Sequence, residues 1–200
     1  MIVLDCETTG LYPRKNSIVS IGAVEFYNSN NMFYEECKIC EGAEIEQKAL
    51  DINGFTKEQI TDPNKKSLEQ ILTNFLKWIE PCSNITLAGE NPRFDIDFLN
   101  AATDMYGIRF RFGHRSIDLH SLCIAHHMKR GIILPLKNNK SDLNTDKILN
   151  YVGLPEEPKP HHALTGAKME AEAFSRLIYG KNLLDEFSKF DVPRYLKIQI

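Results

Sequence analysis

Apolar residues in the first part of the chain occur in short runs that polar turns separate. These runs lie at 1–5, 18–26 and 32–39, and an Asn- and Ser-rich segment at 27–31 separates the last two. Short apolar runs bounded by turn residues predict β-strands, and strands joined by short polar turns predict an antiparallel meander. We therefore expect three consecutive antiparallel strands at the start of the fold.

The rest of the chain changes to a helical period. Apolar side chains recur there every three or four residues, which predicts helices. A short strand is also expected at 85–89. The polar stretch 137–140 is expected to be a mobile loop. Ser67, Asp118 and Ser141 are placed to cap three of the helices, and Gly153 and Gly180 to end two. The predicted helices cover residues 68–79, 94–106, 119–128, 141–152 and 164–178.

Strands that come first and then alternate with helices predict an α/β fold, in which helices flank a mixed sheet. The sequence contains no internal repeat and no Pro- or Gly-rich linker that would divide it. We assign residues 1–180 to one domain. Residues 181–200 are assigned to a C-terminal tail that packs on this domain or contacts a partner.

Composition narrows the function without deciding it. The 200 residues carry a net charge of -3, which excludes a globally basic nucleic-acid binder. Nucleic acid as a substrate stays open, because a local patch or a bound metal can supply positive potential. No apolar run reaches a membrane span of about 20 residues, and the first residues lack the pattern of a signal peptide. Five cysteines without a dense framework favour a reducing compartment, so we expect a cytoplasmic protein without membrane contact.

Asp5 and Glu7 give the first indication of chemistry. Residues two apart in a strand project from the same face, so these two carboxylates are expected side by side. Like charges so close together are costly unless something neutralises them. A hard divalent cation, which prefers oxygen ligands, does this well.

Two further segments share this acidic and polar character. The three are D-C-E-T-T-G-L at 5–11, N-P-R-F-D-I-D-F-L at 91–99 and H-H-A-L-T-G-A at 161–167. In this order they resemble the three motifs of the DEDDh 3′–5′ exonucleases, which include the proofreading ε subunit of bacterial DNA polymerases and the oligoribonucleases. Residues 43–60 also resemble the connecting helices of the proofreading members, and the resemblance extends over residues 1–180.

The resemblance implies a ribonuclease H-like fold with a central mixed five-stranded sheet flanked by helices. It also implies two Mg²⁺ or Mn²⁺ ions held by four carboxylates, of which Asp5, Glu7 and Asp95 match three, while His161 matches the general base. The implied activity is hydrolysis at the 3′ end of single-stranded DNA or RNA, which releases nucleoside 5′-monophosphates. A DNA polymerase is a candidate partner.

The sequence departs from the family pattern at one metal ligand. The fourth carboxylate lies five residues after the histidine, where this chain has Gly166. Glu170, one helical turn further on the same face, is a tentative replacement, acting directly or through water. Three alternatives stay open: a solvated Glu170 with one weakly bound ion, an inactive module that binds nucleic acid or a polymerase, and an oligoribonuclease-like enzyme for short oligonucleotides.

Several residues of the three motifs are candidate contacts for substrate. A glycine permits close approach of the backbone, an aromatic ring stacks on a base or joins the core, and a second histidine contacts phosphate or lies at the surface. The segment 109–115 alternates basic and aromatic residues, which predicts a strand with one basic face or a half-buried strand with solvated arginines. The candidate substrate-binding residues are Thr8, Thr9, Gly10, Asn91, Phe94 and His162.

Overall fold

The computed structural model describes residues 1–197, and residues 198–200 of the predicted tail lie outside the described residues. Its centre is a five-stranded sheet in the order β3-β2-β1-β4-β5. The first three strands form an antiparallel meander, and β4 and β5 run parallel to β1, so the predicted mixed sheet is confirmed. The strands are β1 (Ile2–Thr8), β2 (Ile18–Glu25), β3 (Met32–Glu36), β4 (Leu87–Gly89) and β5 (Ile117–Asp118).

Helices cover both faces of this sheet, as its alternating apolar side chains require. A single turn of 3₁₀ helix at Asp185–Phe187 lies in the C-terminal segment. Within residues 1–197, no helix combines the length and the apolar character that crossing a membrane requires. The helices are α1 (Gln47–Asn53), α2 (Lys57–Thr61), α3 (Leu68–Ile79), α4 (Pro92–Met105), α5 (Leu119–Lys129), α6 (Thr145–Tyr151), α7 (Ala163–Tyr179) and α8 (Arg194–Lys197).

The alternation of side chains along β1 divides the core into two layers. Leu4 and Cys6 pack with apolar residues of α3 and α4. Val3 points to the opposite face, where it packs with residues of α5, α6 and α7. Because the period of a strand is two residues, Asp5 and Glu7 continue the row of Val3 and face α7.

Gly22 on β2 lets α7 begin directly against the sheet. It pairs in register with Asp5 of β1. A Cβ atom at position 22 would lie 2.2 Å from the backbone carbon of Ala163, the first residue of α7. Only glycine permits this approach, which brings the start of α7 and the residues just before it next to the acidic strand.

The predictions for residues 137–152 are wrong in detail. Asn144, not Ser141, caps α6, since its Oδ1 accepts a hydrogen bond from the Lys147 N–H at 3.0 Å. Ser141 instead belongs to a small hairpin of β6 (Leu136–Lys137) and β7 (Lys140–Ser141). Asn138 and Asn139 have φ values of 52° and 60°, as the two central residues of a tight hairpin turn require. The pair Asn138-Asn139 is itself a turn signal, since asparagine tolerates a positive φ better than most residues.

The strand predicted at 109–115 does not form. The side chain of Asn100 takes the place of a neighbouring strand, since its amide group accepts from the Phe112 N–H at 2.9 Å and donates to the Phe112 oxygen at 3.2 Å. Phe112 is buried in the core beside α3, while Arg111 pairs with Asp104 at the surface. The alternating pattern therefore reflects inward aromatic rings without a strand. The cap predicted for α5 is confirmed, because Asp118 accepts from the Ser121 N–H at 3.1 Å.

A buried ion pair attaches the C-terminal segment to α7. Arg176 and Glu172 are both fully buried and lie one helical turn apart, with the guanidinium Nε 2.8 Å from the carboxylate. Glu172 also accepts from two backbone N–H groups of the segment, at Leu183 and Leu184. The remaining Arg176 N–H groups donate to oxygens of Val152, Gly153, Asn182, Phe187 and Phe190. Residues 181–197 are thus held on the sheet domain, and the boundary after residue 180 stays a prediction.

Replacing Arg176 with methionine is expected to lower the free energy of unfolding by about 3–5 kcal/mol, because Glu172 becomes an unpaired buried charge. Lys168→Met on the same helix is the control. It removes an ion pair with Glu186 whose side chains are 24% and 51% exposed, so its expected cost is below about 1 kcal/mol. Urea unfolding of the two variants measures the difference, and equal losses would contradict the structural role of Arg176.

Candidate active site

Two neighbouring elements bring three of the predicted acidic residues together. Asp5 and Glu7 lie on β1, and Asp95 lies in the first turn of α4. The Cys6 N–H donates to Asp95 Oδ1 at 3.0 Å, which fixes the start of α4 beside the acidic strand. Glu7 and Asp95 are buried, at 8% and 4% exposed. The structure therefore places all three carboxylates in one enclosed region.

Burial makes the charged forms of these carboxylates unfavourable. Burial, together with the nearby charge of Glu157, raises the pKa of Asp5 to about 7. Burial, together with the charge of Asp5, raises the pKa of Glu7 to about 9. Burial and Asp5 likewise hold the pKa of Asp95 well above its ordinary value. Carboxylates crowded in this way gain most from a counter-charge, which a bound cation supplies.

Glu170 lies on α7 and is buried, so the alternative of a solvated helix residue is wrong. Its Oε2 accepts a hydrogen bond from the Glu90 N–H at 3.0 Å, just after β4. Burial and the charge of Asp5 raise its pKa well above the ordinary value. Glu170 thus belongs to the acidic region, while its role as a metal ligand stays a prediction.

His161 and His162 precede α7 and face different surroundings. The backbone N–H of His161 donates to the backbone oxygen of Ile52 in α1 at 2.9 Å. The ring Nδ1 of His161 lies 3.5 Å from Glu157 Oε2. The charge of His161 lowers the pKa of Asp5, which puts the imidazole next to the acidic region. His162 instead stacks on Tyr34 of β3, with ring centroids 4.3 Å apart. Of the two histidines, His161 is therefore the one beside the acidic region, and its role as the base stays a prediction.

Glu157 is the residue of this region that the sequence analysis missed. It lies in the connection between α6 and α7, and its side chain is 7% exposed. Burial raises its pKa to about 7. Its sequence signal is weak, a glutamate four residues before His161 within a Pro-rich connection. The path of such a connection follows from packing and not from periodicity, so the sequence did not reveal its direction.

The predicted substrate residues after the acidic pair form part of one cavity. This cavity has a volume of about 230 Å³, and its lining includes Glu7, Thr8, Gly10, Ile52 and Phe94. The Thr8 hydroxyl donates to the Gly10 oxygen at 2.7 Å, which closes the turn at the cavity wall. Thr8 and Gly10, the first and last residues of the predicted contact segment, therefore line the same cavity as Glu7.

Thr9 and Asn91 have other surroundings. Thr9 is fully buried, and its hydroxyl donates to the Glu44 oxygen and accepts from the Ser17 N–H, so no side-chain atom is left for substrate. Asn91 precedes α4 with φ 51° and makes no capping bond with its side chain. Its backbone N–H donates to Asp118 Oδ1 at 3.2 Å. The side chain of Asn91 is exposed and free of the capping role that was the alternative.

The acidic region fits hard cations by its donor chemistry. Its ligands are carboxylate oxygens, which Mg²⁺ and Mn²⁺ prefer, and Glu157 Oε1 is buried without a hydrogen-bond partner among the described residues. Within residues 1–197, the side chains do not form a closed set of three or more ligands.

Comparison with known proteins gives the fold and the family. The nuclease domain of 3′hExo, described as a DEDDh family member bound to rAMP, superposes with a TM-score of 0.66 at 14% identity, over 96% of this chain and 95% of that one. E. coli exonuclease I in complex with a dT13 oligonucleotide gives a TM-score of 0.66 at 16% identity, over 88% of this chain and 40% of that one. At these identities the likeness shows a shared fold, in agreement with the ribonuclease H-like fold expected from the motifs.

Sequence relatives and a family model decide the membership. DNA polymerase III PolC-type of Thermotoga petrophila is 30% identical over 179 residues, or 88% of this chain, and the protein of Thermotoga maritima matches equally. The chain spans 12% of the length of these polymerases. The exonuclease family model RNase_T matches residues 2–174. This chain therefore belongs to the RNase_T exonuclease family, and the family predicted from its three motifs is confirmed.

Proposed function

We propose that this protein is a metal-dependent 3′–5′ exonuclease that hydrolyses terminal phosphodiester bonds of single-stranded DNA or RNA and releases nucleoside 5′-monophosphates. The observation that carries the proposal is the convergence of Asp5, Glu7 and Asp95 in one buried region, with His161 beside it. Membership of an exonuclease family supports the reaction class.

Asp5, Glu7 and Asp95 would hold two Mg²⁺ or Mn²⁺ ions, the second more weakly unless another carboxylate replaces the one missing at position 166. When bound, these ions supply positive charge beside the attacking and leaving oxygens of a phosphodiester. The Cys6 N–H keeps Asp95 oriented towards β1. Asp5 and Glu7 are fixed by the strand itself, so the ligands are held on rigid elements before any ion arrives.

His161 has the role of taking a proton from the attacking water. Its Nδ1 is directed to Glu157, which leaves Nε2 as the nitrogen that accepts. An imidazole exchanges protons near neutral pH, and general-base assistance of this kind contributes about 10²–10⁴-fold to a rate. The bond from the His161 N–H to α1 keeps the ring at the edge of the acidic region.

The cavity beside Glu7 is suited to an unpaired terminal nucleoside. Its lining combines the carboxylate of Glu7 with apolar surface from Leu11, Ile52 and Phe94. Leu11 and Ile52 are exposed, at 66% and 44%. A base could stack on apolar and aromatic surface of this kind, with its phosphate on the side of the carboxylates that would hold the ions. A duplex end would have to unpair first, which is why single strands are the proposed substrate.

The proposed partner is supported by the sequence relatives, and the proposed compartment by the cysteines. PolC-type polymerases of Thermotoga contain the matching segment, which supports a proofreading role for this chain with a DNA polymerase as partner. The five cysteines are free thiols, in agreement with the reducing cytoplasm expected from the sequence. A binding module without catalysis is the second candidate, and Gly166 is the observation that favours it.

The substrate and polarity are tested with 5′-labelled single-stranded DNA and RNA incubated with Mg²⁺, Mn²⁺ or EDTA. The expected result is a metal-dependent ladder that shortens from the 3′ end, is absent in EDTA, and is stopped by a chemical block at the 3′ terminus. Oligonucleotides from two to thirty residues separate a proofreading enzyme from one for short fragments. Intact substrate with both metals would favour the binding module.

Asp95→Asn is expected to lower the cleavage rate by at least about 100-fold, because an amide is a poor ligand for the ions. The fold should persist, since the amide oxygen can still accept from the Cys6 N–H. Asp97→Asn is the matched control. Asp97 lies two residues further on α4 and pairs at the surface with Arg93, so its rate should stay within about twofold. Equal losses in both variants would contradict the assignment of Asp95.

Asp5→Asn is expected to stabilise the metal-free protein at pH 8. In the folded protein the pKa of Asp5 is raised to about 7 from its ordinary value of 3.8. The stability that its neutral form contributes is therefore present below about pH 4 and is lost as the pH rises through 7. Asparagine cannot ionise and avoids this loss. Thermal unfolding in EDTA should therefore show a Tm advantage at pH 8 that shrinks towards pH 4.

Saturating Mn²⁺ should reverse the order of the Tm values at pH 8. The cation stabilises wild-type protein by binding the folded state, while the variant lacks one of its ligands. A variant that is less stable than wild type in EDTA at pH 8 would contradict the crowding of charges at Asp5.

A further inference from the structure

Position 166, where the family has its fourth carboxylate, lies next to two other carboxylates of this chain. A Cβ atom added at Gly166 would lie 2.2 Å from Asp5 Oδ2 and 3.3 Å from Glu157 Oε1. An aspartate at this position would therefore collide with the present Asp5 carboxylate and lie close to that of Glu157. Gly166 leaves this space to side chains that come from elsewhere in the chain.

Glu157 directs an unpartnered oxygen into that space. Its side chain is 93% buried, given that 7% is exposed, and Oε1 is one of two buried side-chain oxygens without a hydrogen-bond partner among residues 1–197. Its other oxygen, Oε2, lies 3.5 Å from His161 Nδ1. A buried carboxylate oxygen without a partner is destabilising unless a cation or a proton satisfies it.

The connection that carries Glu157 is held in place independently of the acidic region. The Glu157 N–H donates to Asp146 Oδ1 on α6 at 3.3 Å. The His161 N–H, four residues later, is bonded to the Ile52 oxygen on α1. Both ends of the segment are thus attached to helices, which makes it a defined support for a ligand.

Glu170 reaches the acidic region from another side, and one of its oxygens is already bonded. Its Oε2 accepts from the Glu90 N–H and lies 3.1 Å from the position of a Cβ added at Gly89. It is not among the three atoms nearest to a Cβ at Gly166, which belong to Asp5 and Glu157. One oxygen of Glu170 is therefore committed to the backbone after β4, while Glu157 has an oxygen free beside Asp5.

We propose that Glu157 supplies the fourth carboxylate of the cation site, from the connection before α7 instead of from α7 itself. This inference rests on the proposed exonuclease function. It gives Glu157 a second task, since the carboxylate that binds the cation through Oε1 also orients the His161 ring through Oε2. It also agrees with Gly166, because a Cβ there would collide with Asp5 Oδ2 at 2.2 Å and crowd Glu157 Oε1 at 3.3 Å.

The test is calorimetric titration of Mn²⁺ into the full chain at pH 8, for wild type, Glu157→Gln and Glu170→Gln. Glu157→Gln is expected to weaken the binding of one ion by at least about 10-fold. Glu170→Gln is the competing variant: its amide oxygen can still accept from the Glu90 N–H, and its loss of affinity is expected to be smaller than that of Glu157→Gln. Glu156→Gln, titrated in the same way, is the matched control, since Glu156 is an exposed neighbour of Glu157 and a change below about threefold is expected. Thermal unfolding in EDTA shows that each variant is folded.

A rescue variant tests the location of the ligand. Glu157→Gln combined with Gly166→Asp restores a carboxylate at the family position, and it should recover most of the lost Mn²⁺ affinity. Asp5 must rotate to admit the new side chain, so full recovery is not expected. A double variant no better than Glu157→Gln alone would overturn the assignment of Glu157 to this place.

The remaining outcomes separate this inference from the proposed function. Unchanged Mn²⁺ binding in Glu157→Gln, or a larger loss in Glu170→Gln, would overturn the assignment while the exonuclease function stands. Wild-type protein that binds no Mn²⁺ and cleaves no substrate would overturn the proposed function, and this inference with it.

Discussion

The repulsion among buried carboxylates is the constraint on which the site depends. Hydrophobic packing on both sides of β1 encloses Asp5 and Glu7, and the bond from the Cys6 N–H adds Asp95 to the same region. Burial and the charge of Glu157 raise the pKa of Asp5, and burial and the charge of Asp5 raise that of Glu7, so the region is unfavourable without protons or cations. The stability of the apolar core is what permits the chain to keep such an arrangement.

Two glycines determine how α7 lies against the acidic strand and hence where His161 meets it. Gly22 brings the start of α7 onto β2 opposite Asp5, and Gly166 leaves room for carboxylates between α7 and β1. The histidine and the acidic pair are therefore adjacent although more than 150 residues separate them in the sequence. Arg176 fixes the other end of α7 through its buried bonds to the C-terminal segment.

Local pattern predicted much of this fold because several of its elements carry strong local signals. Ser67 and Asp118 cap α3 and α5 as their positions indicate, and the antiparallel meander follows from its short apolar runs. The predictions failed where a distant side chain decided the outcome. Asn100 satisfies the backbone of Phe112 and removes the need for a strand, and no local signal at 109–115 could reveal this. The motifs likewise gave Asp5, Glu7, Asp95 and His161 by register, whereas Glu157 depends on the path of a connection that only the folded chain defines.

The most direct test of the account is a crystal structure of the protein with Mn²⁺, in which anomalous scattering locates the ions. Mn²⁺ is expected within about 2.5 Å of oxygens of Asp5, Glu7 and Asp95, with Glu157 Oε1 completing the set. Crystals soaked in saturating Mn²⁺ that show no ion among these carboxylates would contradict it.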